Sequence, residues 1–118
     1  MTGPRIYLVA SDLMVGSRIA GLAAACQATV TQGRDPSVPG GSFDLLIIDL
    51  QAVGADLPDL VGRVRAGSPA DRPLPIVAFG PHVATHLLDE ARAAGVDEVV
   101  SRGALLGSFA ALVQRWCG

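Results

Sequence analysis

Phe43-Asp44-Leu45-Leu46-Ile47-Ile48-Asp49-Leu50 is the stretch on which the fold turns. Four apolar residues in a row, Leu45 to Ile48, with Phe43 leading in, lie between Asp44 and Asp49. A run apolar on both faces suits a strand covered on both sides, as in a parallel sheet with helices above and below. Asp49 then falls at the carboxyl end of that strand. In open α/β sheets this is the edge where ligands and chemistry gather.

Working outward, strand-like and helix-like segments alternate. Ile6 to Ala10 reads as a first strand, ended by Ser11-Asp12, which can cap a helix. Val15, Ile19, Leu22, Ala23 and Cys26 recur at helical spacing and predict a helix over about 15–26. Ala28 to Thr31 is short and rich in β-branched residues, an edge strand. Gln32 to Ser42 holds three Gly and two Pro and reads as a loop. A regular βα repeat would place a helix there, so the second helix is expected to be short or missing.

Beyond the central strand, Leu57, Leu60, Val61 and Val64 form the stripe of a helix over roughly 55–66, with Gly67 as its stop. Pro75 to Phe79 is another buried strand, ended by Gly80-Pro81. Val83, Leu87, Leu88, Ala91 and Ala94 mark a helix closed by Gly95, and 97–101 is a last short strand. Leu105, Leu106, Phe109, Leu112, Val113 and Trp116 make one final amphipathic helix.

Composition narrows the function. The 118 residues form a single domain over 1–118, half of them hydrophobic and 17% charged. A net charge of −2 gives no electrostatic footprint for nucleic acid. All nine basic residues are Arg, so no Schiff-base or phosphate-loop lysine exists. Arg5 interrupts the N-terminus, and Ile6 to Ala10 is too short for a signal core or a membrane span. A cytoplasmic protein without membrane contact is expected. Cys26 and Cys117 have no metal-ligand spacing and read as free thiols. His82 and His86 are placed on one helix face with no third ligand, and solvated surface histidines are expected. Trp116 reads as packing on the core rather than as part of an interaction face.

Five strands alternating with helices point to a flavodoxin-like, three-layer α/β fold with a parallel sheet in the order 2-1-3-4-5. Strands one and three are then neighbours. Asp12 and Asp49 face one crevice, with Gly80 and Arg102 coming from the ends of strands four and five. Arg102 is open to two readings, an ion-pair partner of Asp49 or an exposed residue before the last helix, and Asp49 and Asp12 have a plain structural reading as caps.

The chain resembles the receiver domains of two-component response regulators over nearly its whole length. The resemblance rests on Leu8-Val9-Ala10-Ser11-Asp12, Asp44 to Asp49, Leu74 to Phe79, and Ala93-Ala94-Gly95-Val96-Asp97-Glu98-Val99-Val100. It implies that Asp49 matches the family's phosphoacceptor and that Asp12 is one of two acids that help bind Mg²⁺. Ser11 stands where the other acid is usual. Gly80 replaces a Thr or Ser that senses the phosphoryl group, and Arg102-Gly103 replaces a Lys-Pro pair. Fewer carboxylates weaken a site for a hard cation. Phosphoryl transfer depends on positioning and charge neutralisation, and an arginine fork is not an ammonium.

The resemblance therefore implies a pseudo-receiver-like signalling domain, not an enzyme. It acts through protein–protein contacts with a histidine kinase, an effector domain or a second copy, with phosphorylation at Asp49 weakened or lost. Mg²⁺, weakly held by Asp12 and Asp49, is the one cofactor implied. Two alternatives stand beside it: a working Mg²⁺-dependent phosphoacceptor, and a flavodoxin-like small-ligand binder. No nucleotide loop, dinucleotide fingerprint or hydrolase elbow is present.

Overall fold

A computed structural model describes residues 3–33, 43–68, 71 and 73–117. Strands β1 (Arg5–Val9), β2 (Thr29–Gly33), β3 (Leu45–Asp49), β4 (Ile76–Gly80) and β5 (Glu98–Ser101) form one sheet in the order β2-β1-β3-β4-β5. Every pairing is parallel. Ile6 pairs with Leu45, and Asp49 pairs with Phe79. The helices are α1 (Leu13–Ala25), α2 (Leu50–Val53), α3 (Leu57–Gly67), α4 (Thr85–Ala94), α5 (Arg102–Gly107) and α6 (Phe109–Cys117).

The two-residue period of a strand sorts the core into two halves. Ile6, Leu8, Leu45, Ile47, Val77 and Phe79 pack with Val15, Ile19, Leu105, Phe109 and Leu112, under α1, α5 and α6. Tyr7, Val9, Leu46, Ile48, Ile76 and Ala78 pack with Leu57, Leu60, Val61 and Ala91, under α3 and α4. All five residues of β3 are buried, as the unbroken apolar run requires. This is the three-layer architecture expected, with β2 at an edge.

Several boundaries differ from expectation. The helix expected over about 55–66 is preceded by a four-residue helix, α2, and a 3-10 turn over Gly54–Asp56. Asp49 caps α2 directly, and Gly54 at φ 53° interrupts the run before α3 begins. The final helix is two helices, broken at Ser108 (φ −129°). Gly103, Gly107 and Ser108 are weak helix formers there, and packing of Leu105 and Phe109 outweighs continuity. Gln32 and Gly33, expected in a loop, extend β2 beside Leu8 and Val9. The expectation of a short or missing helix after β2 concerns 34–42, which lie outside the described residues. His82 lies in the turn before α4 and not on the helix, because Pro81 O accepts the Ala84 N–H there. α4 ends as expected: Gly95, at φ 90°, closes it through Ala91 O and Arg92 O.

The amino-terminal edge of the sheet is tied by one partly exposed network. Asp97 Oδ2 accepts the Ile76 N–H at 2.7 Å and Arg65 Nη2 at 3.0 Å. Arg65 also donates to Leu74 O and Gly95 O, each at 3.0 Å. One arginine thus joins α3, the entry to β4 and the exit of α4. Nearby, Glu98 accepts both Arg115 (2.7 and 3.0 Å) and Trp116 Nε1 (2.6 Å), docking α6 on β5. Trp116 therefore packs on the core as expected, with its polar tip satisfied.

Asp97→Ala leaves the Ile76 N–H without its acceptor and the Arg65 guanidinium with only the Leu74 and Gly95 carbonyls. Urea unfolding should show a loss of about 2 kcal/mol. Asp97→Asn keeps an oxygen for Ile76 and should lose roughly half as much.

Candidate functional site at the carboxyl edge of the sheet

The ends of β1 and β3 are neighbours; β1 leads through a short turn to α1 and β3 runs directly into α2, and each helix needs a cap. Asp12 caps α1: its Oδ1 accepts Met14 N–H at 2.8 Å and Val15 N–H at 3.3 Å. Asp49 caps α2: its Oδ1 accepts Gln51 N–H at 3.0 Å. Both acids therefore carry the structural role available to them. Each also keeps its Oδ2 without a hydrogen bond among the described residues. Two carboxylate oxygens thus remain for a ligand, one exposed on Asp12 and one on Asp49.

Asp49 is the buried charged residue among the described residues, 3% exposed. Burial pushes its carboxyl above the ordinary value. The Gln51 N–H and the positive charge of Arg102 oppose that rise, and the negative charge of Asp12 adds to it. Asp12 and Arg102 are thus close enough to act electrostatically on Asp49.

Arg102 opens α5, whose cap is Ser101: the Ser101 hydroxyl accepts Ala104 N–H at 3.1 Å. Sequence reading set Arg102 at the end of strand five; it is the first residue of the following helix. Its guanidinium does not pair with Asp49 within ion-pair distance. Nη2 instead donates to Gln51 Oε1 at 2.9 Å, and among the described residues the buried Nε has no acceptor.

Gly80 sits one residue beyond the Asp49–Phe79 pairing, at the end of β4. A β-carbon added there would meet Leu50 at 3.6 Å and Leu88 at 3.7 Å, ordinary contact distances. The position has room for a side chain, pointed toward Leu50 and Leu88. The sheet edge thus groups Asp12, Asp49 and Arg102 electrostatically, with Gly80 beside them and directed to another neighbour set.

Two residues at this edge escaped the sequence reading. Gln51 contacts both Asp49, through its N–H, and Arg102, through its side chain. Its position two residues beyond a capping acid was the available signal. Gln32, on β2, donates to Ala10 O at 3.0 Å and lies within 3.5 Å of Asp12 O, pinning the β1–α1 turn. A β-carbon at Gly16 would run into that amide, so close packing explains the glycine. Nothing in the sequence marked Gln32.

Elsewhere the thiols of Cys26 and Cys117 are free and half-buried. Burial, with the charge of Asp44, pushes Cys117 up to about 11. Among the described residues no three His, Cys, Asp or Glu side chains cluster as metal ligands. No helix described is long and apolar enough to cross a membrane. An open cleft of about 300 Å³ lies between Val9-Ala10-Ser11 and Ala52-Val53, floored by Leu60 and edged by Asp56 and Arg63. It presents no aromatic face on which a flavin ring would stack.

The solved structures that share this architecture decide its class. The chain superimposes on the receiver domain of the sensor histidine kinase PA1611 from Pseudomonas aeruginosa PAO1 with a TM-score of 0.79, at 20% identity over 98% of both chains. That structure carries a magnesium ion coordinated in its active-site cleft. This is the receiver fold. Full-length FixJ from B. japonicum has the same TM-score at 22% identity, over 98% of this chain and 58% of its own. The receiver domain of Saccharomyces cerevisiae Ssk1, solved with the histidine phosphotransfer protein Ypd1, gives 0.76 at 11% identity, over 98% and 90%. No family model and no curated protein matches the sequence, so the likeness is one of receiver architecture.

Two consequences of this geometry are measurable. The folded chain holds the Asp49 proton to higher pH than the unfolded chain does. Between the two values the folded state binds more protons, so stability falls as pH rises through them. Asp49→Asn keeps a capping oxygen and removes the buried charge. It should be more stable than the parent at pH 7, with that slope absent from urea midpoints taken from pH 4 to 8. Separately, Gly80→Ala places a methyl in ordinary contact with Leu50 and Leu88 and stiffens the unfolded chain, and should add about 0.5–1 kcal/mol in the same assay.

Proposed function

We propose that the chain is a single receiver-type signalling domain that works through protein–protein contacts, with phosphoryl transfer at Asp49 weakened or lost. One observation carries this reading. The paired acids Asp12 and Asp49 are retained at the β1/β3 edge, while the groups around them are disengaged. Arg102 is bound to Gln51 and not to Asp49, and residue 80 has no hydroxyl.

Mg²⁺ prefers several oxygen ligands in near-octahedral array. Asp12 Oδ2 and Asp49 Oδ2 would supply two, and Ser11 offers a neutral hydroxyl where a third charge would help. The donor set fits Mg²⁺, and its low charge argues for weak binding. When bound, the ion would neutralise charge gathering at Asp49. Asp49 is then phosphoacceptor-like, Arg102 the remaining cation, and Gly80 a position that lacks a sensing group.

The partner is a signalling protein: a histidine kinase or phosphotransfer protein, an effector domain, or a second copy of this chain. The structural relatives support this class, since one of them, the receiver domain of a response regulator, is bound to a histidine phosphotransfer protein, and full-length FixJ is matched over 58% of its own length. The net charge of −2 argues against nucleic acid.

Beryllofluoride on a carboxylate mimics the aspartyl phosphate. Titrating it with Mg²⁺ into the labelled domain, followed by backbone NMR, should give no saturable shifts at millimolar Mg²⁺. Saturable shifts around Asp49 and Asp12 that vanish in Asp49→Ala would overturn the weakened site in favour of a working phosphoacceptor. Yellow colour in the purified protein would instead point to the flavin-binding alternative.

A further inference from the structure

The carboxyl edge holds a donor without an acceptor and an acceptor without a donor. Arg102 Nε is buried and unpartnered, and Asp49 Oδ2 accepts no hydrogen bond among the described residues. A buried donor left unmet is costly, so the arrangement calls for an explanation. Gln51 stands between the two. Its backbone N–H is given to Asp49 Oδ1 at 3.0 Å, and its Oε1 takes Arg102 Nη2 at 2.9 Å.

We propose that Gln51 is a positioning residue that parks Arg102 beside Asp49. A phosphoryl-type oxyanion joined to Asp49 would then have to draw the arginine off Gln51 in order to engage it. The chemistry favours such an exchange. A hydrogen bond from guanidinium to a neutral amide oxygen is weaker than one to an anion. The Asp49 carboxylate itself is buried and turned into its capping role, so pairing it directly would desolvate both ions. A phosphoryl group carries about −1.5 to −2 charges and three acceptor oxygens. It would project beyond the buried carboxylate and offer Nε the acceptor it lacks. The fork of an arginine allows Nε and one Nη to engage an oxyanion together.

The parking itself does not depend on the acceptor-like role of Asp49; only the exchange rests on that reading. The test therefore has two parts. Arginine side-chain NMR, with the Arg102 signals assigned through Arg102→Lys, is first recorded without ligand. Gln51→Ala should move the Arg102 Nε and Nη signals, whereas Asp49→Asn should leave them in place. Gln51→Glu, which keeps an acceptor and adds charge, should hold Arg102 at least as firmly as the parent. Unmoved Arg102 signals in Gln51→Ala, or release of Arg102 by Asp49→Asn alone, would overturn the parking. Gln51 is exposed, and its backbone spectrum reports whether each variant is folded.

The second part titrates beryllofluoride with Mg²⁺ at concentrations raised until one protein responds. Gln51→Ala should bind about tenfold more tightly than the parent, and Gln51→Glu more weakly. Equal affinities in all three would overturn the exchange. Binding by none of them, with the first result intact, would remove the acceptor-like reading of Asp49 and leave Gln51 as the residue that anchors Arg102.

Discussion

A strand covered on both faces has to leave the core somewhere, and in this protein it leaves at a carboxylate. β3 is buried along its whole length, and the first charged atoms it meets are those of Asp49, themselves 3% exposed. Burying a charge is expensive unless hydrogen bonds or opposite charge compensate. Here the compensation is partial: one backbone N–H from the helix that Asp49 starts, and the field of an arginine held to one side. The shape of the carboxyl edge follows from that constraint. α2 begins at once because Asp49 caps it, and α2 presents the glutamine that holds Arg102.

The two ends of the sheet are built differently. At the amino-terminal edge, Arg65 and Asp97 satisfy one another and three backbone groups, and Glu98 receives both Arg115 and Trp116. At the carboxyl edge, like charges on Asp12 and Asp49 oppose each other, and a guanidinium nitrogen is orphaned. Protein interiors tolerate such mismatches at sites where something else is meant to bind. The contrast separates an edge whose polar groups are matched from one whose polar groups are left partly unmatched.

Much of this was legible in the residues. The unbroken apolar runs over Ile6–Ala10, Leu45–Ile48 and Ile76–Phe79 determine a sheet covered on both sides, and short connections leave the order 2-1-3-4-5. Asp12 and Asp49 follow from that order, because strands one and three must then end side by side. Other features were not legible. The final helix is continuous in its apolar pattern, and only packing shows that it breaks at Ser108. His82 and His86 keep helical spacing, yet Pro81 starts a turn that removes His82 from the helix. Gln32 and Gln51 belong to no motif, and each matters through a contact with a residue distant in the chain.

The sequence by itself determined the layers, the strand order and which acids reach the ligand edge, because hydrophobic period and chain connectivity are local or topological properties. Tertiary structure alone decided which charged groups touch. Arg102 is 51 residues from Gln51, and whether its fork falls on that amide or on Asp49 depends on the angle at which α5 leaves β5. That angle is set by Ser101 capping and by Leu105 seating in the core. Whether Arg102 meets Gln51 or Asp49 is a matter of tertiary placement, and no spacing of residue types in the sequence encodes it.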